Sequence, residues 1–113
     1  MGVNSVRKGD GSIIEQPMSF ATIKSGEIAG SAAAAVMPTI ACTMVNFKAA
    51  ASNAGNVYIG GAGVTKPDGT TDVTTGWELD AGHETGWLFV DNLNKFYRIC
   101  DNAGDDLVYL AFA

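Results

Sequence analysis

The chain has 113 residues, 47% of them hydrophobic and 17% charged, with a net charge of −5. This composition builds one domain around one core and excludes a disordered or membrane-spanning chain. The acidic balance also excludes nucleic-acid binding by phosphate neutralisation, because the only adjacent basic pair, Arg7-Lys8, lies close to Asp10.

Residues 1–30 carry glycines at positions 2, 9, 11, 26 and 30 among scattered apolar residues. No helical period runs through them, and alternation is brief. Such a segment cannot build its own core, so it reads as an extended arm docked on a neighbouring subunit or another protein. Val3, Val6, Ile13, Ile14, Met18 and Phe20 are its expected contact residues. The amino terminus is polar, so no secretory signal is expected. The most apolar stretch, 32–45, contains Pro38 and falls short of the about 18 residues that span a bilayer. Residues 31–38 are alanine-rich, but a helix so short is marginal and Pro38 would stop it. They read as an extended or single-turn entry to the domain.

Residues 31–113 form the domain proper, an all-β fold expected to be a small antiparallel β-sandwich of jelly-roll or immunoglobulin-like type. In 41–49, Val45 and Phe47 alternate with Asn46 and Lys48, which marks a half-buried strand. A loop at 50–56 leads to a strand at 57–59, ended by Gly60-Gly61. Lys66-Pro67-Asp68-Gly69 is a turn, since proline presets its first central position and glycine accepts positive φ. Trp77 and Leu79 share one strand face, and Asp80-Ala81-Gly82 turns the chain. Residues 85–90 form a strand with apolar side chains on both faces, Trp87 and Phe89 against Leu88 and Val90. After a turn at 91–94, strands at 96–100 and 107–112 are expected to make a last hairpin around a solvated tip at 101–106. Short strands with turn signals every ten or so residues are the pattern of a sandwich or barrel.

Apolar residues on both faces of a strand mean that both faces are covered. Trp77, Trp87, Phe96, Tyr109 and Phe112 cannot all point into one thin core, so some are expected at an oligomer interface. Charged residues also fall below the roughly 25% typical of soluble domains, which again points to surface covered by a partner.

Candidates for chemistry are sparse. His83 is the only histidine and sits in a turn, without a second histidine to share a metal. Asp101, Asp105 and Asp106 lack the ligand spacing of a calcium loop, where Ala103 falls on a ligand position. Gly60-Gly61-Ala62-Gly63 has neither the lysine nor the helix of a phosphate loop. Glu78, Asp80 and Glu84 read as surface carboxylates rather than a glycosidase pair. No catalytic residue, metal or cofactor is expected. Cys42 and Cys100 are expected to remain reduced and pack as small hydrophobes.

Four segments carry a resemblance. They are Asn56-Val57-Tyr58-Ile59-Gly60-Gly61, then Gly76-Trp77-Glu78-Leu79-Asp80-Ala81-Gly82-His83-Glu84, Phe96-Tyr97-Arg98-Ile99 and Val108-Tyr109-Leu110. In this order they resemble small tailed-phage virion proteins, namely β-sandwich decoration (cement) proteins and related head or tail accessory proteins. That pattern runs Gly-Glu directly where this chain has His83 between Gly82 and Glu84. The resemblance covers about residues 40 to 112. It implies a non-enzymatic virion protein, assembled in the host cytoplasm, that binds the major capsid protein or another virion protein and itself as a homo-oligomer such as a trimer. The alternative is a carbohydrate- or receptor-binding β-module of a tail or fibre that uses Trp77 or Trp87 as a stacking platform.

Overall fold

The computed structural model describes residues 4–7, 13–16, 20–68 and 75–113. Among these described residues lie ten strands: β1 (Asn4–Arg7), β2 (Ile13–Gln16), β3 (Ile23–Ile28), β4 (Ala35–Val36), β5 (Met44–Ala49), β6 (Val57–Gly60), β7 (Trp77–Leu79), β8 (Glu84–Phe89), β9 (Tyr97–Cys100) and β10 (Leu107–Phe112). Eight of them form two four-stranded antiparallel sheets. The first has the order β3-β10-β5-β8 and the second β4-β9-β6-β7. Strands β3 to β6 lead out and β7 to β10 return, so that β6 pairs with β7, β5 with β8, β4 with β9 and β3 with β10. This rolled-up hairpin has the strand order of a jelly roll.

Two expectations are corrected here. Residues 23–28, assigned from sequence to the arm, are an edge strand of the first sheet, with Ile28 opposite Leu107 and Ile23 opposite Phe112. Only Ile28 of this strand is buried, so its sequence shows no inward stripe and the strand exists through its partner. The expected last hairpin is also absent: β9 lies in the second sheet and β10 in the first. Residues 101–106 therefore cross between sheets.

That crossing is held from within. Asp105 is 2% exposed, not part of a solvated tip. Its Oδ1 accepts from the amides of Ala54 at 3.0 Å and Gly55 at 3.2 Å. Its Oδ2 accepts from the backbone and side-chain nitrogens of Asn102, both at 3.0 Å. Asp106 and Asn53 exchange two further bonds of 2.8 Å, and the Gly30 amide donates to Asp106 Oδ1. The β3–β4 connection passes so close that a Cβ on Gly30 would overlap the Asp105 carbonyl. Buried carboxylates persist where donors replace the lost water, and here the donors come from two separate loops.

Between the sheets lie Met37, Val45, Phe47, Val57, Leu79, Leu93 and Leu107, all at most 2% exposed. Phe96 meets Phe47 edge to face at 5.4 Å. Leu93 enters the core from a 3₁₀ turn, Leu93–Lys95, whose Asn92 side chain accepts from the amides of Asn94 and Ile40. In β8 the chain bulges. Gly86 adopts φ +81°, which favours glycine, and the Phe47 amide donates to Thr85 Oγ1 at 3.2 Å.

Strands β1 and β2 pair with each other, with Val6 opposite Ile14, and with neither four-stranded sheet. Among the described residues no helix is long and apolar enough to cross a membrane. Cys42 and Cys100 are both free and buried. Burial pushes both thiols up from their ordinary value; at Cys42 the nearby Lys24 partly opposes this, and at Cys100 the Ser31 backbone does. The reactive form is the thiolate. Both are thus expected to resist a thiol reagent at pH 7 in the native protein and to titrate as two groups once it is unfolded. Fast labelling of the folded chain would contradict this.

Candidate interaction surface

The first sheet has an unusual outer face. Along β10, Leu107, Tyr109 and Ala111 share the side of the buried Ala49, Phe47 and Val45 opposite them. The alternate set, Val108, Leu110 and Phe112, points outward and is apolar as well. Across the sheet, the row Ile23–Phe112–Met44–Phe89 contains no polar residue. The next row, Ser25–Leu110–Asn46–Trp87, is mixed. Beyond it Glu27, Val108, Lys48 and Glu84 mark a charged end, where the Asn46 side-chain Nδ2 donates to Glu84 Oε1 at 3.3 Å.

Aromatic rings line the apolar end. Phe112 stacks on Phe20 at 5.3 Å and on Trp87 at 5.0 Å. Phe89 is 70% exposed and Ile23 69%, with Trp87, Val108 and Leu110 near 40%. An antiparallel sheet can leave one face to water, but that face is normally polar. A contiguous apolar patch on such a face is a candidate interaction site.

The five aromatics singled out from sequence separate. Trp87 and Phe112 lie on this face. Phe96 and Tyr109 pack against the core instead, and the Tyr109 ring covers Gly26. Trp77, 69% exposed, belongs to edge strand β7 of the second sheet. Trp77 and Trp87 therefore do not form one stacking platform. Of the arm residues, Phe20 joins the aromatic stack. Val6, Ile13 and Ile14 lie in β1 and β2, where only the backbone is described, and Val3 and Met18 lie outside the described residues. Ile23, Met44 and Leu110 were missed. The signal was present at Leu110, since 107–112 is apolar at both parities, but Ile23 and Met44 join the face only through pairing.

A second feature lies at the β7–β8 edge, where the sheets leave an apolar cleft of about 460 Å³. Ile59, Trp77, Leu88 and Phe96 line it, with Gly60, Gly61, Thr85 and Lys95.

Among the described residues, groups of catalytic type stay apart. His83 lies 3.9 Å from Asp80, and both side chains are exposed. Glu78 accepts from Asn56 at 2.6 Å, and neither Glu78 nor Glu84 lines the cleft. Among the described residues, no three His, Cys, Asp or Glu side chains converge as a metal site. No protein-family model, curated protein or solved structure matches the chain.

Proposed function

We propose that this chain is a structural protein of a tailed-phage particle, a decoration protein that binds the capsid shell and its own copies without catalysing a reaction. The observation that carries the reading is the apolar outer face of the β3-β10-β5-β8 sheet, with Phe112 stacked between Phe20 and Trp87. The resemblance of the strand and turn segments over about residues 40 to 112 supplies the virion context, and jelly rolls recur in viral shells.

The mechanism is burial repeated by symmetry. The exposed apolar side chains of the face present on the order of 500 Å². At about 25 cal/mol per Å², covering that area contributes about 12 kcal/mol. Association costs about 4–15 kcal/mol in lost freedom and side-chain ordering. One face alone is therefore marginal, and attachment becomes firm when linked copies engage together. The arm, which includes β1 and β2, adds contacts to a neighbouring subunit or to the major capsid protein. Assembly takes place in the host cytoplasm, with no cofactor, nucleic acid or membrane involved.

Cosedimentation with the particle encoded by the same genome tests this reading. The protein is expected at many copies per particle, released by mild denaturant. Its absence from purified particles would refute the proposal.

A further inference from the structure

We infer that the cleft at the β7–β8 edge is a binding site for a small amphiphile, with an apolar body between the sheets and a carboxylate at Lys95. A volume of about 460 Å³ lies within the roughly 300–1,000 Å³ of ligand pockets. Its walls decide the chemistry. Ile59, Leu88 and Phe96 are apolar, and the exposed Trp77 ring stands on the β7 side. Among the described residues of the lining Thr85 carries the one hydroxyl, and it is engaged within the protein: it accepts from the Phe47 amide and donates to the Gly86 carbonyl at 2.7 Å. Against these side chains a saccharide would leave most of its own hydroxyls without partners, which is costly. An acyl chain or fused ring has no such need.

The head group follows from charge. Among the described residues of the lining, Lys95 is the only ionisable one. Its ammonium lies 3.6 Å from Asp91 Oδ1, with both side chains largely exposed. Exposed pairs of this kind are weak, so an anion seated over the cleft competes for the ammonium. The site also has room to spare at its rim, since a Cβ on Gly61 would meet nothing within 4 Å.

This inference does not rest on the assembly reading, because the cleft and the outer face of the first sheet share no residue. Decanoate is the probe, with decanol as its neutral counterpart and Trp77 emission as the local readout in a Trp87→Phe background. Decanoate is expected to shift Trp77 emission saturably to the blue. Lys95→Glu should weaken decanoate about fivefold to tenfold and leave decanol unchanged, whereas Asp91→Asn should strengthen decanoate. Gly61→Leu, which narrows the cleft, should weaken both ligands. No saturable shift up to millimolar decanoate would overturn the proposal. So would equal binding of decanoate by wild type and Lys95→Glu, which would mark apolar adsorption without recognition of the head group. Folding of each variant is verified by its unfolding midpoint.

Discussion

Asp105→Ala is expected to lower the free energy of unfolding by about 3–5 kcal/mol, a loss typical of breaking a buried hydrogen-bond network. Four donors converge on this carboxylate, three backbone amides and one side-chain amide. Removing it leaves the amides of Ala54, Gly55 and Asn102 facing a void, and each unsatisfied buried donor costs about 1–3 kcal/mol. Asp105→Asn keeps the shape but turns an NH₂ group toward donors, so it should recover only part of the loss. The pH dependence follows from the same contacts. Burial alone would raise the carboxyl, but the donors from Gly55, Asn102 and Ala54 outweigh it and hold the group below the ordinary aspartate range. A depressed folded-state value means that the contribution is complete above the unfolded value. It is lost as pH falls below about 4 and through the folded one. Denaturant titrations at pH 7 and pH 3 should therefore show wild type losing more stability on acidification than Asp105→Asn. Equal losses would show that Asp105 is neither charged nor braced as described.

Phe89→Asp should abolish most self-association or particle binding while leaving the fold nearly intact. The side chain is 70% exposed in the isolated subunit, and surface changes of that kind usually alter stability by about 0.5 kcal/mol or less. In an assembly that covers the apolar row, the same aspartate must leave water without a partner. A penalty of about 3 kcal/mol corresponds to more than a hundredfold loss in affinity. Sedimentation velocity across micromolar concentrations, with a control substitution Ala103→Asp at an exposed position of the 101–106 connection, measures this. If Phe89→Asp associates as well as the control, the outer face is not the contact surface.

The all-β character was legible from short β-branched and aromatic runs set between turn residues. Strands β5, β6, β8 and β10 fall where alternation and glycine-bearing turns placed them. The 23–28 strand was not legible, because Lys24, Ser25, Gly26 and Glu27 carry no apolar stripe and the segment is held by its ladder to β10. The apparent 96–112 hairpin misled for a related reason. Two adjacent strands with a polar connection look alike whether they pair with each other or separate into opposite sheets. Asp105 was read as solvated because a carboxylate in a polar, glycine-bearing loop usually is; its donors at 54 and 55 are distant in sequence.

The site divides in the same way. Period-two alternation showed by itself that Trp87 and Phe89 share a face, and that this chain has more large apolar side chains than one thin core can enclose. Only the tertiary structure decided which of them the core takes. Phe96 and Tyr109 fall inside, whereas Phe112 and Trp87 stack outside with Phe20. The physical reason is that alternation assigns a side chain to one of two faces without saying which face meets the opposing sheet. That choice is made by strand order and register, set by contacts between segments far apart in the chain.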